Sequence, residues 1–343
     1  MPKLSPRTPR PPRRSEAARG PVRCGPLPLP ASVQQALVIV NDHPVNLTHL
    51  DKIYFPDDAI AKRDLLDYAH DVAGFLVPYL RDRPYTMKRF PNGIQAPAFF
   101  QKEAGGRVPA WVSTVAMPSA NERAEVHYVL CNDTATLLYL VNAGCIDHNV
   151  WLSRASSPLQ PDFVLLDLDP GPRAPFSAAV RVAIAVRKLL DEFEIRACVK
   201  TSGATGIHVW IPIAPGHTFA QSQQFAALLL RMAAARVPDI VTEVWRVEVR
   251  PPDRVYLDFR QNAHGKTIPP PYSPRPRPGA PVSCPLRWSE LGASLDPAQF
   301  NLRTVRRRLD RYGDLFADTL PSARHESLQT MLRRMQIRRM VER

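Results

Sequence analysis

Two carboxylates separated by one residue, Asp167 and Asp169, close the run Phe163-Val164-Leu165-Leu166-Asp167-Leu168-Asp169-Pro170. A run of β-formers that stops at Pro and Gly predicts a buried strand, and the two-residue period of a strand turns both acids to the same face. Like charges that close repel, and burial opposes their ionisation further, so the pair becomes favourable when a divalent cation sits between them. Hard carboxylate oxygens suit Mg2+ or Mn2+, with substrate phosphates completing the shell. The plainer alternative is a strand-end pair that caps the following turn. Two later segments weigh against it. In Cys198-Val199-Lys200-Thr201-Ser202-Gly203-Ala204-Thr205-Gly206-Ile207-His208 a strand, a tight glycine turn and a second strand predict a hairpin that brings Ser202 and His208 together and backbone amides close to a ligand. In Arg254-Val255-Tyr256-Leu257-Asp258-Phe259-Arg260 a third acid, Asp258, stands in another apolar strand. Three such acids are what metal-assisted phosphoryl transfer requires.

The elements that must carry these residues can be read around them. Leu37 to Val40 predicts a strand, and Lys62 to Leu80 predicts a helix with Leu65, Leu66, Ala69, Val72, Ala73 and Leu76 on one stripe. Asn132 or Asp133 can cap a second helix from Thr134 to Asn142, which Gly144 ends. A third helix follows Pro175, and Thr218 with Gln221 forms a capping box ahead of a fourth. Strand, helix, hairpin, helix, strand predicts an α+β catalytic sheet, RRM-like and of mixed or antiparallel pairing, with helices on one face and the acids exposed on the other. Residues 269–285 contain eight prolines and predict an extended segment wrapped on the core, and Arg-rich helical sequence closes the chain from Asn301.

The chain has 343 residues and a net charge of +13, which favours a polyanionic partner. Residues 1–30 hold seven Lys or Arg against one acid, together with nine prolines, and predict a disordered basic arm. No apolar run reaches the length of a membrane span and no secretory signal opens the chain, so a cytoplasmic, nucleoid-associated protein is expected. Five irregularly spaced cysteines predict reduced thiols. His127, Cys131, Cys145 and His148 have a zinc-like spacing, but His127 falls in a strand and no Cys-x-x-Cys is present, so buried thiols are the expectation.

Beside these motifs stand Met87-Lys88-Arg89-Phe90-Pro91-Asn92-Gly93, Ala98-Phe99-Phe100-Gln101-Lys102, Asp147-His148 before Trp151, and Gln261-Asn262-Ala263-His264-Gly265-Lys266-Thr267 running into Pro271-Tyr272-Ser273-Pro274-Arg275-Pro276-Arg277-Pro278-Gly279. In this order, over roughly residues 45–315, they resemble the archaeo-eukaryotic primase superfamily and within it the polymerase domain of bacterial end-joining ligase D. One departure is Thr205, where the family often has a basic residue. The resemblance implies a primase-type core with an N-terminal α/β module, and a template-directed nucleotidyltransferase that fills gaps and extends 3′ ends in non-homologous end joining, favouring ribonucleotides. It implies two divalent ions, Mn2+ or Mg2+, on Asp167, Asp169 and Asp258. Ser202, Gly203, His208, Lys266, Arg275 and Arg277 would bind the nucleoside triphosphate. Lys52 and Lys62 would grip a 5′ phosphate across a gap, Lys88 and Arg89 the DNA backbone. One of Phe99 and Phe100 would enter the core and the other stack on a template base, and His148 is a further site candidate. Ku and a separate ligase are implied partners. No Lys-x-Asp-Gly ligation motif occurs in the sequence, so a stand-alone polymerase is expected. The domain division is an arm at 1–32, a catalytic domain at 33–315 (module about 33–150, core about 151–290) and a basic helical tail at 316–343. A metal-dependent nuclease or phosphodiesterase, or a non-catalytic adaptor for DNA ends, are the rival readings.

Overall fold

The computed structural model describes residue 21 and residues 23–106, 108–118 and 125–341. The first part of the chain runs β1 (Ala36–Val40), β2 (His43–Leu47), β3 (Ile53–Phe55), β4 (Ile60–Ala61), α1 (Lys62–Leu80), β5 (Pro84–Arg89), β6 (Phe99–Gln101), β7 (Thr114–Pro118), β8 (Glu125–Leu130), α2 (Thr134–Asn142) and β9 (Cys145–Trp151). The second part runs β10 (Phe163–Pro170), α3 (Phe176–Glu192), β11 (Cys198–Thr201), β12 (Ile207–Pro212), α4 (Phe219–Ala234), β13 (Val241–Thr242), β14 (Val255–Asp258), β15 (Thr267–Ile268), β16 (Pro285–Leu286), α5 (Val305–Tyr312) and α6 (Leu328–Val341). The helices start where their caps dictate. The Asp133 carboxylate accepts the Thr136 amide at the head of α2, and Thr218 and Gln221 exchange side-chain and backbone bonds at the head of α4.

Two mixed layers result, and the α+β expectation holds. The catalytic sheet has the order β13-β14-β10-β12-β11-β16, antiparallel except for the parallel pair β13 and β14. Helices α3 and α4 pack on each other and on β10. The other large sheet has the order β15-β9-β5-β8-β7, with β6 hanging from β5. One apolar cluster runs through both, from Leu27 to Met335. The Pro-rich segment stitches the sheets together, because it leaves the edge strand β15, paired with β9, and returns as the edge strand β16 on β11. Missing backbone donors suit prolines to such edge and connecting positions.

Three expectations need correction. Residues 1–20 and 22 of the predicted arm lie outside the described residues, but from Arg23 on the chain is packed. The Arg23 guanidinium donates to Asp71 at 2.7–3.1 Å, and Leu27 is buried. Asp71 is wholly inaccessible, and Arg306 at 3.2 Å is its second cation, so docking of the arm compensates a buried charge on α1. The tail expected from residue 316 is likewise partly core: Phe316, Leu328, Met331 and Met335 are buried. Finally, the acid face of the catalytic sheet is not open. Phe163 stacks on Trp210 at 3.8 Å, Phe316 packs edge-on to Trp210, and Asp167 is buried.

Candidate active site

Strand register assembles the site. Asp167 on β10 stands opposite Asp258 on β14 and, on its other side, opposite His208 on β12. His208 in turn stands opposite Lys200 on β11, so Asp258, Asp167, His208 and Lys200 form one transverse row across four strands. Directly opposite residues share a face with Cβ atoms about 4.5–5.5 Å apart. Asp169 lies one pleat further along, opposite Tyr256. The sequence supplied the period of two; only the pairing brings the third acid and the histidine beside it.

Electrostatics of the row favour a bound cation. Burial, and then the neighbouring charges of Asp169 and Asp258, push the Asp167 carboxyl well above the usual carboxylate range. Burial and Asp258 push Asp169 in the same direction. Asp167 Oδ1 is buried without a hydrogen-bond partner, the oxygen that a divalent ion would satisfy. Hard oxygens of this kind fit Mg2+ or Mn2+. Among the described residues no group of three or more His, Cys, Asp or Glu side chains is gathered so as to hold a metal ion by itself. Open coordination completed by water and substrate phosphate is the usual habit of Mg2+.

The glycine turn closes over this row. Ser202 Oγ accepts the amides of Ala204 and Gly206 at 3.1 and 3.0 Å, so two of the amides expected to face a phosphate are used within the turn. Gly203 has φ +71, and a Cβ there would come within 2.6 Å of the Ser283 amide and 2.7 Å of Arg275 Cγ. At Gly206 a Cβ would meet Leu168 O at 2.5 Å and Asp169 Oδ1 at 2.9 Å. Both glycines therefore permit the closest approach of turn, Pro-rich segment and acids. Arg275 donates to Ser202 O at 2.9 Å, and its Nε is 3.1 Å from the buried Asp147. Arg275, Lys200, Arg250 and Arg277 are cations that offset the two buried acids. Lys266 stands exposed ahead of β15, in the other sheet.

Lys52 and Lys62 converge, although ten residues separate them. Lys62 is buried at the first position of α1, where its Nζ donates to Thr48 O at 2.6 Å, while Lys52 Nζ donates to Asn92 Oδ1 at 2.6 Å. Burial, and then the charge of Lys52, lower Lys62 to about 8. Two ammonium groups that repel each other at a helix start are an arrangement that a bound anion would stabilise.

One reading from sequence is revised. Phe99 and Phe100 are both exposed, and neither enters the core, since β6 is a three-residue strand carried by β5 alone. Each lies under the cation opposite it in the pair, Arg89 over Phe99 and Lys88 over Phe100, both at 5.4 Å. Arg89 also donates to Ala143 O and Gln101. Lys88 Nζ lies 3.8 Å from Asp147. His148 is buried against Tyr85, its Nδ1 2.5 Å from the phenol oxygen, and burial lowers it to about 3, so its ring is held neutral. Cys131 and Cys145 are buried free thiols, and His127 is exposed beside Glu103, so the zinc-like spacing gathers no site. What the sequence did not single out is Lys200, Asp147 and Arg250. Asp147 was visible as a motif neighbour, but its contact with Arg275 joins elements 128 positions apart.

A sheet that lines up its acids beneath a glycine hairpin, opposite an arginine-bearing segment, defines the primase type of nucleotidyltransferase. The family model described as "LigD, primase-polymerase domain" matches residues 61–316, and the chain belongs to that family. It is 34% identical over 302 residues to the bifunctional non-homologous end joining protein LigD of Bacillus subtilis, covering 87% of this chain and 48% of that protein. It is 29% identical over 277 residues to the multifunctional LigD of Mycolicibacterium smegmatis, covering 80% of this chain and 36% of that protein. The chain thus spans about half the length, or less, of these relatives. The solved polymerase domain of Mycobacterium tuberculosis Ligase D, in complex with DNA, superposes with a TM-score of 0.73 at 29% identity, covering 80% of this chain and 97% of that one. Among the described residues no helix is long and apolar enough to cross a membrane.

Proposed function

We propose that this chain is a template-directed polymerase that adds nucleotides to primer 3′ ends at gaps or broken ends of DNA, in non-homologous end joining. The observation that carries the reading is the row Asp258, Asp167 and His208 under the Ser202 turn, in a chain of the LigD primase-polymerase family. Its relatives bear end-joining names, and the solved neighbour is held on DNA.

In this reading Asp167, Asp169 and Asp258 hold two divalent ions, which when bound supply the positive charge that eases ionisation of the primer hydroxyl. His208, Ser202 and Arg275 bind and orient the triphosphate, and Arg277 adds charge at its exposed edge. Arg275 is braced by Asp147 and Ser202 O, so it meets the phosphates already oriented. The Lys52 and Lys62 pair takes a 5′ phosphate across the gap, which returns to Lys62 the counter-charge that burial denies it. Phe100, the more exposed of the two phenylalanines, offers a face to an unpaired template base, with Lys88 alongside. Ribonucleotide preference, Ku and a separate ligase are carried as parts of this proposal by the resemblance alone.

Primer extension on a gapped duplex with Mn2+ and ribonucleoside or deoxyribonucleoside triphosphates tests it. Template-matched addition with release of pyrophosphate is the expected result. Release of nucleotides from the DNA would establish the nuclease reading instead, and DNA binding with neither product would establish the adaptor.

A further inference from the structure

The second large sheet carries a transverse row of its own. Phe100 on β6 stands opposite Lys88 on β5, and Lys88 stands opposite Asp147 on β9. Directly opposite residues share a face, so the row runs from an exposed ring through an ammonium to a buried carboxylate. Lys88 Nζ lies 5.4 Å from the centre of the Phe100 ring and 3.8 Å from Asp147 Oδ2. Beyond Asp147 the row meets the Pro-rich segment. There Arg275 Nε is 3.1 Å from Asp147 Oδ1, and Arg275 Nη1 donates to Ser202 O at 2.9 Å. With Nε and Nη1 engaged by the protein, Nη2 is the guanidinium nitrogen left to meet a phosphate. Asp147 Oδ1 and Arg275 Nε each lack a hydrogen-bond partner, so charge rather than a directed bond joins them. Among the described residues neither Lys88 nor Arg275 pairs with any other acid.

We propose that Asp147 is a positioning residue, which holds Arg275 for the triphosphate and Lys88 at the Phe100 ring, so that one carboxylate sets the nucleotide and template subsites together. The proposal rests on the nucleotidyltransferase reading, in which Arg275 meets the phosphates and Phe100 a template base. Packing alone gives no reason for an acid here, because replacing a buried charge by an apolar side chain of similar volume is often neutral or stabilising. Its place supplies one. It stands where the two sheets meet, between a cation of each subsite, and in this reading it touches neither metal nor substrate.

The test is Asp147→Asn, which removes the charge and keeps the shape, read in two ways. In primer extension on a gapped duplex it should raise the nucleotide KM by about tenfold, with a smaller change in kcat. Without nucleotide, it should lower the preference for a gapped duplex with an unpaired template base over a nicked duplex by about threefold or more. Arg275→Met should move the KM but not that preference, and Lys88→Met the preference but not the KM. Asp147→Asn should add little to the KM of Arg275→Met or to the preference of Lys88→Met. A merely structural role would lower stability in urea and leave both quantities unchanged in the folded protein. Either quantity unchanged in Asp147→Asn, or losses that multiply in full, would overturn the proposal. Should Asp147→Asn fail to fold, urea unfolding of Lys88→Met, Arg275→Met and the double variant decides. The double variant should lose more than the two single losses together, because only there is the buried carboxylate left without a cation, and additive losses would overturn the proposal. A chain inert in primer extension would instead remove the nucleotidyltransferase reading, while the template preference and the urea series would still read whether Asp147 joins Lys88 and Arg275.

Discussion

Replacing Lys62 by Met should make the DNA-free protein more stable while weakening its hold on a 5′ phosphate. The unfolded chain keeps the Lys62 proton up to 10.5, but the folded protein only to about 8. At about 1.4 kcal/mol per decade, the buried ammonium destabilises the fold by about 3 kcal/mol at neutral pH. Removing the donor to Thr48 O takes back about 1 kcal/mol, which leaves a net gain of about 2 kcal/mol for Lys62→Met at pH 7. The sign of the pH dependence follows from the same values. Between about 8 and 10.5 the unfolded state binds more protons, so the parent gains stability as pH rises across that window. The advantage of the variant therefore shrinks above pH 8, vanishes near about pH 10 and reverses above it, where the lost bond to Thr48 O is all that remains. Urea unfolding of both proteins at pH 7 and at pH 10 measures the difference directly. On a gapped duplex the variant should prefer a 5′-phosphorylated end over a 5′-hydroxyl end by about tenfold or more less than the parent does. A loss of stability at pH 7, or a gain that does not change with pH, would refute the idea that Lys62 is held charged at a cost that phosphate offsets.

Asp167→Asn and Asp169→Asn should each abolish nucleotide addition while DNA binding stays within a few-fold, and Mn2+ should raise the melting temperature of the parent but not of the variants; a full rate of extension in either would end the polymerase reading. Truncation of residues 1–20 should leave turnover on short gapped duplexes intact and flatten the salt dependence of DNA binding, because cations are removed and no described contact is lost. Truncation through residue 30 should in addition cost at least about 1 kcal/mol in chemical denaturation, since Arg23 no longer pairs with the buried Asp71; equal stability of the two truncations would show that this docking is idle. Gly206→Ala should lower extension activity more than it lowers stability, because the new methyl group is aimed at Asp169 Oδ1 as well as at Leu168 O, and parent-like turnover would show that the turn is free to move.

Most of the architecture was legible in the order of residues because its signals are local. A strand period of two, the caps at Asp133 and Thr218, and glycines around a hairpin all act within a few positions, and α1, α2 and the strands of the three acids form where those signals put them. The sequence likewise determined that Asp167 and Asp169 share a face. It could not determine which strand lies beside which, since register between segments ninety residues apart is set by packing of the whole sheet; that choice placed Asp258 and His208 on either side of Asp167. Burial depends on the same global packing. It buried His148 beside Tyr85, left both Phe99 and Phe100 outside, and drew Arg23 out of an otherwise basic, proline-rich arm onto Asp71. Lys200 shows the limit most clearly. In sequence it is one more lysine before a Thr-Ser-Gly turn, and only the closing of the Pro-rich segment over β11 removes its water and sets its Nζ 2.8 Å from His208 Nδ1 and 3.1 Å from Pro269 O.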